Sequence, residues 1–130
     1  MSVSVNKVML IGNLCHDPEM RYTPQGAAVC EFALAMNYSY THKQTGEKKE
    51  EVCYVDVTCW GGLAENVAQY CKKGKQVFVE GRLTQQRWED NEGKKRQKLF
   101  VTAEQVKFLG SKEGGKEPLV VEDRDATTPY

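Results

Sequence analysis

One stretch of this chain carries a helical repeat, and it sits between runs that read as strands. In residues 61–71 the apolar side chains are Leu63, Ala64, Val67, Ala68 and Cys71. Their i, i+1, i+4, i+5, i+8 spacing gathers them on one face of a helix of about three turns. Lys72-Lys73-Gly74 follows, with cations suited to the negative end of a helix dipole and a glycine able to form a left-handed C-terminal cap. Three strand-like runs precede the helix, at 5–14, 27–38 and 52–60, and two follow it, at 76–88 and 97–109. Asp17-Pro18, Pro24-Gln25-Gly26 and Asp90-Asn91-Glu92-Gly93 punctuate them as turns. The polar segment 41–51 lies between two strand-like runs and reads as a long hairpin arm. The order β-β-β-α-β-β predicts an all-β OB-fold: a five-stranded Greek-key barrel with one helix between strands three and four. An SH3-like barrel would lack the helix, and a ferredoxin-like fold would need two.

The chain has 130 residues, which fits one domain by the usual ~100–200-residue range. That domain is expected over 1–110. From Gly110 the sequence turns polar, Gly-rich and aperiodic, so 111–130 reads as a short flexible acidic tail. No apolar run approaches the ~20 residues of a membrane span, and residues 1–7 lack a charged-then-apolar signal pattern. A cytoplasmic protein is expected. The five cysteines are odd in number, widely spaced and without a CxxC. That argues against a disulfide framework or a zinc site and for buried thiols that pack as small hydrophobes. Net charge is zero, but its distribution matters more than its sum. Residues 1–110 carry 15 Lys and Arg against 13 Asp and Glu, a mildly basic body; the tail carries 3 against 5.

Strand three is the most informative run. Cys53, Val55, Val57 and Cys59 alternate with Tyr54, Asp56, Thr58 and Trp60. The first set is apolar and expected to face the core, so Tyr54 and Trp60 point off the barrel. Exposed rings on such a surface are stacking platforms for bases, and they tolerate any base because every base has a π-face. Packing under a loop or against a subunit is the competing use of such rings. Tyr38 and Tyr40 open the arm that holds His42, Lys43, Lys48 and Lys49, and Trp88 stands beside Arg87 ahead of Lys94, Lys95, Arg96 and Lys98. A lone lysine run is usually a solvated face. Cations for phosphates interleaved with rings for bases on several arms are what a single-strand groove needs. No catalytic set competes: His16 and His42 lie in no metal-binding pattern, Gly61-Gly62 opens no phosphate loop, and no serine sits in GxSxG.

Four blocks in order make the chain resemble the bacterial single-stranded DNA-binding protein family. The first is Val5-Asn6-Lys7-Val8 through Gly12-Asn13-Leu14, Asp17-Pro18-Glu19 and Arg21-Tyr22; the second is Thr45-Gly46-Glu47. The third is Trp60-Gly61, Leu63-Ala64-Glu65, Tyr70 and Lys73-Gly74; the fourth is Val77, Val79, Glu80-Gly81-Arg82-Leu83 and Trp88. The resemblance implies sequence-independent binding and protection of single-stranded DNA in replication, recombination and repair. It implies a nucleoid-associated homotetramer wrapped by DNA, with no catalysis, cofactor or metal. Base stacking falls on Tyr40, Tyr54, Trp60 and Trp88, two of them tyrosines where the family commonly has tryptophan. Phosphate binding falls on Lys7, Arg21, Lys43, Lys49, Lys72, Lys73 and Arg87. Two further family positions are Thr41 and Asp56 here; Asp56 cannot attract phosphate and is expected to pair with a neighbouring arginine. The resemblance also implies recruitment of replication and repair enzymes through an acidic tip. Here that stretch is short, interrupted by Arg124, and ends Pro129-Tyr130.

Two other uses of the fold stay distinguishable. A protein-contact module, such as a primosome-type adaptor, would keep its partners after losing DNA binding. A sugar-binding or catalytic barrel would need convergent carboxylates or histidines. In strand one, Met9 and Ile11 alternate out of phase with Val8 and Leu10, which suggests an apolar subunit contact outside the core.

Overall fold

A computed structural model describes residues 2–110; Met1 and 111–130, including the expected tail, lie outside the described residues. The elements are β1 (Val8–Leu14), β2 (Glu19–Tyr22), β3 (Ala28–Thr41), β4 (Lys48–Trp60), α1 (Gly61–Tyr70), β5 (Gln76–Glu89) and β6 (Lys95–Phe108). Five strands close a barrel in the order β1-β5-β6-β4-β3, and β1 returns to β3 through Asn13↔Ala35 and Leu14↔Leu34. All pairs are antiparallel except β4–β6, which meet in parallel at Val57↔Val101 and Thr58↔Thr102. With α1 between the third and fourth barrel strands, this is the OB-fold that the element order predicts.

The barrel fills with alternate residues of each strand. Leu14, Cys30, Phe32, Leu34, Val57, Cys59, Val77, Val79, Val101 and Val106 are buried. The helix adds Leu63, Ala64 and Val67 from its apolar face. Burying a Val or Leu side chain is worth about 1.5–3 kcal/mol, so this shared interior, not local propensity, fixes which face of each strand turns inward.

Four sequence expectations need correction. The segment expected as turns between strands one and two contains β2, whose Met20 lies opposite Cys30 and packs on the core. Prolines at 18 and 24 flank it and keep it short. The helix ends at Tyr70, with the Cys71 N–H donating to the Val67 carbonyl at 3.0 Å. Gly74 (φ 90°) therefore shapes the following turn rather than the helix cap. That turn is tied to the end of β1: the Gly74 N–H donates to the Leu14 carbonyl (2.9 Å), and the Lys73 N–H to Asp17 Oδ1 (2.8 Å). Third, of the set expected inside strand three, only Val57 and Cys59 are buried; Val55 is half-buried and Cys53 is exposed. Beyond Val55, β4 leaves the barrel and runs with β3 as a ribbon to Thr41↔Lys48, where neither face has a core beneath it. Fourth, only Cys30, Cys59 and Cys71 are buried thiols, while Cys15 is half-buried.

A second ribbon, β5–β6, extends to Glu89↔Lys95 after a register shift at Glu80/Gly81. Gly81 is required there by space: a Cβ would lie 2.1 Å from the Thr102 carbonyl oxygen.

Candidate nucleic-acid interface

The residues opposite in phase to the core form one continuous face across β2, β3, β4, β6 and β5. Directly paired residues share a face. Arg21, Val29 and Trp60 therefore make one row across β2–β3–β4, and Glu19, Glu31 and Thr58 make the next. Asp56 and Tyr54 continue along β4. On β6 the same face carries Phe100, Lys98 and Arg96, with Trp88 opposite Arg96 on β5. Trp60 and Trp88 are 43% and 44% exposed and Tyr54 is 67% exposed. Each thus offers ring area while part of it rests on protein.

Tyr40 belongs to the other phase. It continues the Leu34–Met36–Tyr38 side of β3 past the end of the barrel, and Lys49 is its cross-strand partner. Its ring lies against Tyr38, with centroids 5.7 Å apart and planes 26° from parallel. Arg87 likewise lies opposite Trp88 in phase, and its guanidinium donates to Gln85 Oε1 (3.2 and 3.0 Å). The arrangement thus brings Arg21, Tyr54, Trp60 and Trp88 onto one face. It puts Tyr40, Lys49 and Arg87 on the reverse of the two ribbons. Lys43 lies in the turn joining β3 to β4, and Lys72 and Lys73 lie in the turn after α1. Lys7 immediately precedes β1, beside Glu80 of β5.

Several of these cations already have carboxylate partners. Lys7 pairs with Glu80, whose hydrogen bond holds the ammonium pKa above its ordinary value. Arg21 makes a two-pronged contact with Glu31 (3.1 and 3.2 Å), which raises its pKa through the same hydrogen bonding. Lys49 meets Glu47 at 3.5 Å and Arg96 meets Asp90 at 2.9 Å. The Asp90 carboxyl is held below its ordinary range, first by the Lys94 backbone N–H and then by Arg96. Asp56 pairs with Lys98 (3.1 Å), not with an arginine as the sequence suggests, because the parallel β4–β6 contact brings those two strands together. Among the described residues, Lys43, Lys72, Lys73 and Arg87 form no salt bridge. Exposed pairs of this kind contribute about 0–1 kcal/mol to the stability of the fold.

Sequence reasoning left Arg96 and Lys98 among the turn cations, although both share the face of Trp88. Even spacing over Arg96, Lys98 and Phe100, paired against Trp88, Gln86 and Thr84, is the signal that marks them. Beside Lys98 a groove of about 220 Å³ opens between β4 and β6. Among the described residues, no group of three or more His, Cys, Asp or Glu side chains is placed to hold a metal, and no helix is long and apolar enough to cross a membrane.

A model described as the single-strand binding protein family matches residues 5–109. The single-stranded DNA-binding protein of Wolinella succinogenes is 44% identical over 128 residues, 96% of this chain and 78% of that protein. The one from Helicobacter hepaticus is 45% identical over 112 residues, 86% of this chain and 65% of that protein, just under two thirds of its length. Among solved structures, the Plasmodium falciparum SSB in complex with ssDNA superposes with a TM-score of 0.78 at 25% identity, over 85% of this chain and 99% of that one. A deletion mutant of the Thermus aquaticus single-stranded DNA-binding protein superposes with a TM-score of 0.74 at 36% identity, over 88% of this chain and 54% of that one.

Proposed function

The chain belongs to the single-strand binding protein family, and on that premise we propose that it coats single-stranded DNA without reading its sequence, protecting it during replication, recombination and repair. It is a binding protein and not an enzyme. The observation that carries the reading is the continuous face on which Arg21, Trp60, Tyr54 and Trp88 lie together. Bases stack on the three rings, each stack contributing roughly 1–3 kcal/mol whatever the base. Phosphates meet Arg21 there. Tyr40, Lys43, Lys49 and Arg87 serve the strand where it passes to the reverse of the ribbons, and Lys7, Lys72 and Lys73 contact it at the barrel's margins.

Assembly as a homotetramer belongs to the same reading. Met9 and Ile11 stand exposed on the outer face of β1, and over Val8–Gly12 that strand is paired on one side only, to β5. Such an apolar strand edge invites a second subunit. The protein would then lie with DNA in the cytoplasmic nucleoid. Recruitment of replication and repair enzymes through 111–130 is the weaker limb, since Arg124 breaks the acidic run.

Titration of the whole chain with dT oligomers of rising length, following tryptophan fluorescence and mass, tests this. Quenching, affinities for dT and mixed sequence within about tenfold of one another, and weakening with salt are expected. Absence of quenching and of binding at micromolar protein would overturn the reading.

A further inference from the structure

We propose that Asp56 attenuates DNA binding by occupying Lys98, so that the strand crosses the middle of the face on stacking without a phosphate contact there. This rests on the function proposed above. The two side chains meet at 3.1 Å with each about half exposed, at the junction of β4 and β6. Tyr54 lies two residues from Asp56 on the same face of β4. Arg96, opposite Trp88, lies two residues from Lys98 on the same face of β6. The pair therefore stands between the stacking rings, where a strand running from Trp60 to Trp88 must pass.

Lys98 is the one lysine or arginine among the described residues that line the adjoining groove, against the carboxylates of Glu19, Glu31 and Asp56. Arg21 answers Glu31, and Arg96 is turned to Asp90. A phosphate reaching Lys98 must displace Asp56, and the freed carboxylate then faces that phosphate as a like charge. Lys98 thus contributes no net attraction while Asp56 is ionised.

The experiment is titration of the full chain with a dT oligomer over a series of salt concentrations. Asp56→Asn, Lys98→Gln and the double variant are compared with wild type, and Glu65→Gln on the exposed side of α1 serves as the charge control. One regained phosphate contact steepens the log K–log salt slope by about 0.7, or about fivefold in affinity at 0.1 M relative to 1 M salt. Asp56→Asn is expected to bind about fivefold tighter with that steeper slope, and the double variant to return to the wild-type affinity and slope. Glu65→Gln should stay within about twofold of wild type, since Glu65 forms no salt bridge among the described residues and its loss frees no cation. An Asp56→Asn protein with wild-type affinity and slope overturns the inference. So does a double variant that keeps the gain, or a Glu65→Gln that matches it. If wild type itself does not bind the oligomer, the proposed function falls with it; if wild type binds and Asp56→Asn does not tighten, only this inference falls.

Discussion

Replacing Trp88 and Trp60 separates what stacking contributes to binding from what packing contributes to stability. The two rings are almost equally exposed, at 44% and 43%, and offer a base similar area. Losing one stack costs roughly 1–3 kcal/mol, about 5- to 140-fold in affinity at 1.4 kcal/mol per tenfold. Their other faces differ. Trp88 lies near the end of a two-stranded ribbon opposite Arg96, with no member of the core beneath it. Trp60 pairs with Val29, which is only 1% exposed, and immediately precedes α1. Trp88→Ala should therefore leave the urea midpoint within the ±0.5 kcal/mol typical of surface changes. Trp60→Ala uncovers Val29 and should cost about 2 kcal/mol, below the 3–5 of a fully buried tryptophan. Trp88→Phe keeps a π-face and should recover most of the affinity. Anisotropy of a labelled dT oligomer at fixed salt, beside urea unfolding, reads both quantities. A Trp88→Ala protein within twofold of wild-type affinity, or one equally destabilised by both alanine changes, refutes the reasoning.

Gly81→Ala tests the register shift that sets the phase of the β5–β6 ribbon. The 2.1 Å approach is to backbone oxygen, which no side-chain movement relieves. Overpacking at ~1–3 kcal/mol plus a stretched ladder hydrogen bond at ~1 predicts a loss of about 2–4 kcal/mol, and an unchanged urea midpoint would contradict it. The thiols give a further expectation. Burial pushes Cys30 up to about 11 and Cys71 up to about 12 from an ordinary 9.0, and Cys59 well above it. A folded-state thiol pKa above its unfolded value favours the folded state fully below pH 9. That contribution is lost as pH rises through 11 to 12, because the unfolded chain then gives up protons the folded one retains. Stability should fall over that window, while at pH 8 a thiol reagent should modify exposed Cys53 and spare Cys30, Cys59 and Cys71; a midpoint flat from pH 9 to 12 would count against it.

The element order and the core were readable because both rest on local periodicity. Helical spacing marks Leu63, Ala64 and Val67, and strand alternation marks Val57 and Cys59. The same alternation turns Tyr54 and Trp60 outward, and both are exposed. Where the barrel ends is a different kind of fact. Cys53 and Val55 keep the apolar pattern, but burial depends on what lies beneath them: Val55 still packs on the core at the barrel's rim, while Cys53 stands on the ribbon with nothing there. β2 was hidden because one packing residue, Met20, stands among turn formers. The split of Tyr40 from Tyr54 follows from phase, which was legible, and from the ribbon's length, which was not. The partner of Asp56 needed more still: Lys98 is distant in sequence and reaches it only through a parallel contact that barrel closure creates.

A chain with net charge near zero can serve as a single-strand coat because the two terms of such binding are carried by different parts of this fold. Attraction to phosphate is long-ranged but limited here, since Lys7, Arg21, Lys49, Arg96 and Lys98 are each matched to a carboxylate. Stacking is short-ranged and needs rings held in place but open. Ribbons that leave a barrel provide that on both sides, because past the last core layer each phase of the alternation meets solvent. Inside the barrel only one phase can carry Trp60; on the β3–β4 arm Tyr54 and Tyr40 occupy opposite phases of one ribbon. A strand bound to both must go around the arm, not merely across it. On the function proposed above, the length of the arms, more than the charge of the barrel, is what would let this surface take up DNA by wrapping.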